Sequence, residues 1–127
     1  MPELSNSRLD DLMATGAAVF ARAFQRHGVT VAFGQSLPTS FHLVAPRFGI
    51  EQAGYRTESS GAMMADGYAR ISGRFGLVTA MHGPAAALLV PGLAEALKAS
   101  VPVVALVQEV GRRIVDRNAA SEIDHVP

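Results

Sequence analysis

At 127 residues, with 49% hydrophobic and 17% charged side chains and acids and bases balanced at 11 each, the chain has material for one domain and one core. That balance excludes the basic stripe of a nucleic-acid binder, and the apolar content excludes a disordered chain. The absence of cysteine excludes a disulfide framework, a thiolate metal site and a cysteine nucleophile.

The start, Met1 to Asp11, lacks the basic n-region and apolar run of a secretory signal, and residues Met1 to Ser7 read as a loose terminus. Leu9, Leu12, Met13, Ala17, Phe20 and Phe24 then recur at helical spacing, which predicts an amphipathic helix capped by Ser7 and ended by Gly28. Val29 to Phe33 is β-branched and apolar and stops at Gly34, the pattern of a buried strand followed by a turn. Gln35 to Pro38 reads as a loop, Thr39 to Pro46 as a short helix, and the region around Gly54, Tyr55 and Arg56 as a second, weaker strand.

A helix is expected from Glu58 to about Ile71, closed at Gly73, and a third strand from Phe75 to Met81. After His82, Gly83 and Pro84 comes a helix from Ala85 to about Ala99, with Leu89, Leu93 and Leu97 on one face. Val101 to Val107 is nearly all apolar, the pattern of a strand buried on both faces, and too short to span a bilayer. From Glu109 the chain is polar and irregular. Strands alternating with helices predict an α/β fold, a doubly wound and mostly parallel sheet flanked by helices. The last strand has no helix after it, so residues 1–127 read as a domain incomplete at its C-terminus. Little surface charge on so small a domain also predicts a surface covered by something else.

Ligands of such sheets sit beyond the carboxyl ends of the strands. Those ends carry Gly34, Gln35 and Ser36, then Thr57 and Glu58, then Met81, His82, Gly83 and Pro84, and last Gln108 and Glu109. Glu58 is the acid of this set at the front of a helix, where the macrodipole alone would favour a carboxylate. His82, beside Gly83 and Pro84, is either a loop histidine or a group facing substrate. The four histidines have no ligand spacing, so no metal site is expected. Asp66 and Arg70 are spaced as an exposed i, i+4 ion pair. Gly67 predicts another backbone packed close to its helix, and Gly61 with Ala62 a close helix approach. Tyr68 reads as an interface or packing residue rather than a catalytic acid.

The residues from Tyr55 to Arg74 carry a more specific signal. Glu58 is followed by small residues, then by Ala65-Asp66-Gly67-Tyr68-Ala69-Arg70, then by Gly73 and Gly76 in step. Gly83-Pro84-Ala85, Ser100-Val101-Pro102 and Glu122-Ile123-Asp124-His125 follow in order. This ordered set resembles the N-terminal pyrimidine-binding domain of thiamine diphosphate-dependent enzymes, in the acetolactate synthase, pyruvate oxidase and 2-oxoacid decarboxylase group. The resemblance implies that Glu58 is catalytic: its carboxylate would hydrogen-bond N1′ of the cofactor's aminopyrimidine and favour the imino tautomer. It also implies cofactor contacts from Gly34, Met81 and Pro84, and a substrate side formed by Gln35, Ser36, His82 and Ser121.

The family's diphosphate-binding signature is not in this sequence, so thiamine diphosphate would be held here by its pyrimidine half only. Its Mg²⁺ is expected on a different domain, of the same or another subunit, within a homodimer or homotetramer. Cytoplasmic location, with neither nucleic acid nor membrane as partner, completes the expectation. The sequence departs from the family at Thr57, often a histidine, at Gln35 to Pro38, usually glycine-rich, at Ala86 to Leu88, and at Ala120-Ser121, usually phenylalanine and glutamine. Those departures bear on the substrate side of the pocket. Two other readings stay open: a stand-alone subunit of a two-subunit 2-oxoacid decarboxylase, and a non-catalytic regulatory or interaction remnant of the fold.

Overall fold

The computed structural model describes residue 11 and residues 13–123. Ser7, Leu9 and Leu12 of the expected first helix lie outside the described residues, as do Asp124 and His125. The described elements run α1 (Gly16–Arg26), β1 (Val31–Phe33), α2 (Thr39–Val44), a turn of 3-10 helix (Ala45–Phe48), β2 (Glu51–Ala53), α3 (Glu58–Ser72), β3 (Gly76–Ala80), α4 (Pro84–Lys98) and β4 (Val103–Val107). After β4 the described residues make turns only, as their polar composition predicts.

The ends of these helices follow from local chemistry. At the end of α1, Gly28 takes φ 77°. Its N–H reaches Gln25 O at 2.9 Å while that of Val29 reaches Phe24 O at 3.0 Å, a Schellman closure. Helix α3 starts in a capping box: Thr57 Oγ1 accepts from the Ser60 N–H, and Ser60 Oγ from that of Thr57. It ends at Gly73, which takes the left-handed conformation. Helix α4 opens with Pro84, where the missing N–H costs nothing, and carries Pro91 in its interior.

The four strands form one sheet in the order β2-β1-β3-β4, every pairing parallel. This is the expected α/β architecture. The chain leaves β1 for the β2 edge, then crosses back to β3 on the other side of β1, so the winding reverses between β1 and β3. Alternation along the strands divides the core in two. Ala32 and Leu77 face α1, α2 and the 3-10 turn, where they meet Phe24, Phe41, Val44, Phe48 and Ile50. Phe33, Val78 and Ala80 face α3 and α4, where they meet Ala62, Ala65 and Leu89. Each large side chain so buried contributes about 1.5–3 kcal/mol against exposure.

Several expectations are corrected. β2 lies at Glu51–Ala53, before the Gly54-Tyr55-Arg56 stretch, because Glu51, Gln52 and Ala53 are the residues that pair in register with Val31, Ala32 and Phe33. β4 is not buried on both faces: it pairs with β3 alone, and Val104 is 40% exposed. Its outer face borders an open apolar groove of about 710 Å³ shared with Phe20, Phe24, His27 and Phe75. Of the expected apolar stripe on α4, Leu89 is buried but Leu97 is exposed, because the buried face runs through Leu89, Gly92 and Ala96 and leaves Leu97 beside it. Gly67 has no atom within 4 Å of where a Cβ would stand, so no backbone packs there among the described residues. Close approach is made instead by Ala62, whose methyl would lie 2.5 Å from a Cβ on Gly92 of α4.

Asp66 is buried rather than exposed, and it holds Arg70 in a two-point pair, Nε to Oδ2 at 2.7 Å and Nη2 to Oδ1 at 3.1 Å. The hydrogen bond to Asp66, more than its charge, raises the Arg70 pKa further. Tyr68 packs as expected, edge-on to Phe33 at 5.9 Å. No helix of the described residues is long and apolar enough to cross a membrane.

Candidate functional site

At the carboxyl ends of β1 and β3, where the winding reverses, lies a cleft of about 130 Å³. Gln35, Ser36 and Leu37 form one rim, just after β1. Tyr55 comes from the β2–α3 connection, Glu58 from the start of α3, Met81 from the β3–α4 turn and Ala85 from the first turn of α4. Glu58 is the one charged side chain of the lining. It is the first residue of α3, so the capping box at Thr57 fixes the backbone that carries it, and the helix dipole favours its negative charge.

The rim is held by side chains. Gln52 Nε2 donates to Gly34 O at 2.9 Å and to Gln35 O, and Thr39 Oγ1 donates to Ser36 O at 3.0 Å. The Gln35 amide points back to the carbonyls of Tyr55 and Arg56, 3.4 Å from each. The rim therefore keeps its shape without the glycine-rich turn usual in the resembled family.

Tyr55 forms the opposite wall. A Cβ on Gly61 would run into its ring, so ring and helix are in direct contact only because residue 61 has no side chain. The phenol donates to Thr79 O at 2.7 Å. Burial first, and then the nearby Glu58 charge, push its pKa up to about 12. Tyr55 thus remains a neutral donor, with its O–H directed at Thr79 O.

Glu58, Gln35, Ser36 and Met81, all named from the sequence, meet at this one cleft. Gly34 lies beneath the rim, where a Cβ would stand 2.8 Å from the His42 ring. Pro84 is exposed at the first turn of α4, and its neighbour Ala85 reaches the cleft instead. His82 is 8% exposed and does not line the cleft; its Nε2 sits 3.2 Å from Ala120 O. Ser121 lies over Gly83, so close that a Cβ there would collide with the Ser121 carbonyl. Glu122 stays within its own loop, accepting from the N–H groups of Asp116 at 2.7 Å and Ala119 at 3.0 Å.

Sequence reasoning missed Tyr55, Gln52, Thr79 and His42. A polar Thr79 in the otherwise apolar Gly76–Ala80 strand was a usable signal, and so was an aromatic ring three residues before Glu58. Nothing in the local pattern marked His42.

Residues 14–127 match the model of the thiamine pyrophosphate enzyme family, N-terminal TPP binding domain. The chain belongs to that family. It is 39% identical over 116 residues to an acetolactate synthase of Arthrospira platensis, an alignment that covers 87% of this chain and 20% of the relative. To the chloroplastic acetolactate synthase of Arabidopsis thaliana it is 37% identical over 125 residues, 95% of this chain and 19% of the relative. With an acetolactate synthase of Mycobacterium bovis the figures are 35% over 113 residues, 87% and 18%. The chain thus spans about a fifth of the length of these relatives. Thiamine diphosphate is the cofactor of this domain type.

Proposed function

We propose that this chain supplies the pyrimidine half of the active site of a thiamine diphosphate-dependent enzyme acting on 2-oxoacids, by carboligation or decarboxylation. The observation that carries the reading is Glu58 as the one charged group of an otherwise uncharged cleft, at the winding reversal of the sheet. A lone carboxylate among Tyr55, Leu37, Met81 and Ala85 suits a flat ring with a basic nitrogen. It does not suit a diphosphate, which needs cations that the lining lacks. The diphosphate and its Mg²⁺ would accordingly be bound by another domain.

When bound, the cofactor supplies a nucleophilic carbon and an electron sink for chemistry beside the 2-oxoacid carbonyl. Glu58 would hold a proton at N1′ of the aminopyrimidine, in the general acid–base role. Tyr55 and Met81 would line the ring, and Gln35 and Ser36 would serve the substrate side. The relatives' name, acetolactate synthase, supports a 2-oxoacid as substrate.

Glu58→Gln in the complete native protein tests the reading. Turnover of a 2-oxoacid, followed by carbon dioxide release, is expected to fall by about 10²–10⁴-fold, with the thermal unfolding temperature unchanged. Turnover retained in this variant overturns the reading.

A further inference from the structure

Behind the cleft, among the apolar side chains of the α1/α2 face, lies a small polar cluster. Thr79 is fully buried near the end of β3. Its hydroxyl is 2.9 Å from His42 Nε2 on α2, and its carbonyl accepts the Tyr55 phenol. The His42 backbone N–H in turn donates to Pro38 O at 3.1 Å, one residue past the rim. Hydrogen bonds therefore link Pro38, next to Leu37 on one rim of the cleft, through His42 and Thr79, to Tyr55 on the opposite wall. Gly34 makes room for it: a Cβ there would collide with Thr79 Oγ1 and stand 2.8 Å from the His42 ring.

Packing alone gives no reason for these residue types. Valine has the shape of threonine without a hydroxyl to satisfy, and burying a polar group costs free energy unless it is paired. A fully paired network, in return, rigidifies what it joins.

We propose that His42 and Thr79 are positioning residues that tie the Gln35–Leu37 rim to the Tyr55 wall and so set the width of the cleft in front of Glu58. The proposal rests on the functional reading above only for the identity of what enters the cleft.

Thr79→Val, which removes the hydroxyl and keeps the shape, tests it in the complete native protein by two measurements. Hydrogen–deuterium exchange without cofactor reads the rim, and calorimetry with thiamine diphosphate reads the cleft. Exchange at residues 35–37 is expected to accelerate while that of β4 does not change. Cofactor affinity is expected to fall about tenfold, the effect of one buried hydrogen bond. At saturating cofactor kcat is expected to hold within about twofold, and Thr79→Ser to restore both measurements.

Unchanged exchange at residues 35–37 overturns the proposal, and so does faster exchange with unchanged affinity. A wild-type protein that does not bind thiamine diphosphate overturns the functional reading instead, and rim exchange then decides the positioning role by itself. Should Thr79→Val fail to fold, His42→Asn, which loses the reach to Thr79, is read by the same measurements.

Discussion

On its α1/α2 face the sheet is covered by rings and branched chains, with Phe24, Phe41, Phe48, Val44 and Ile50 filling the space between elements. On the α3/α4 face, Phe33, Val78 and Leu89 aside, the buried side chains are alanines, and at Gly76 and Gly92 the elements touch nearly backbone to backbone. Large side chains fill a volume and can shift together when one of them changes. Small ones leave no slack, so the distance between elements is set by hard contact. Glu58 is carried by the second kind of packing, at the front of a helix pressed onto β3 and α4. Glu58 thus sits on the stiffer layer, while the looser layer carries the rim and its His42 tether.

The largest effect expected of breaking this contrast is on the ring-filled face. Phe41 is 1% exposed and meets Phe24 edge-on at 5.9 Å. Phe41→Ala is expected to lower unfolding free energy by about 3–5 kcal/mol, read by urea unfolding. Because the cavity opens on the α1/α2 side, Glu58 keeps its place if any fold remains. A loss under about 1 kcal/mol, well short of such a truncation, would show that the face collapses to fill the gap.

Next in size is the addition of one methyl to the tight face. A Cβ on Gly76 would collide with the Ala65 carbonyl of α3. Gly76→Ala is expected to cost about 1–3 kcal/mol and to move α3 away from β3. That displacement reaches Glu58, so cofactor affinity should fall as well, unlike in Phe41→Ala. Equal effects of the two variants on affinity would erase the distinction between the faces.

The α3–α4 contact allows a finer measurement. Gly92→Ala would bring its methyl 2.5 Å from that of Ala62, and Ala62→Gly removes the obstacle. Each change alone is expected to destabilise, by about 1 kcal/mol or somewhat more. Together they should cost less than their sum, with a coupling of about 0.5 kcal/mol or more in a double-mutant cycle. Strict additivity would place the constraint elsewhere, for instance on the Met63 backbone N–H, 3.0 Å from the same Cβ.

The same contrast explains what was readable in the sequence. Helix ends were legible because Gly28 and Gly73 occupy left-handed positions that few other residues accept. Parallel strands followed from strand–helix alternation, and Glu58 from its place between a strand and a run of small residues. The position of β2 was not legible, since Glu51-Gln52-Ala53 has no strand-like composition and is held by pairing with β1. The open face of β4 was missed because an apolar run says that a strand can be buried, not that something covers it. His42 and Thr79 are 37 residues apart, and only the sheet brings them together.

The smallest effect expected concerns that pair and pH. Burial, partly offset by hydrogen bonding with the Leu37 backbone, lowers the His42 pKa from the usual 6.5. In the unfolded chain the imidazole takes up its proton near 6.5, while in the folded chain it resists until lower pH. Below 6.5 the unfolded state therefore binds more protons, and stability falls with falling pH until the folded value is passed. Above 6.5 the contribution is fully present. Carboxylates and the other histidines titrate in the same region, so the informative quantity is a difference. Urea unfolding of the wild type and of His42→Asn at a series of pH values should show a steeper decline for the wild type just below 6.5, and parallel curves above it. Parallel curves throughout would mean that His42 takes its proton as readily folded as unfolded, and that the ring is not held neutral between Leu37 and Thr79.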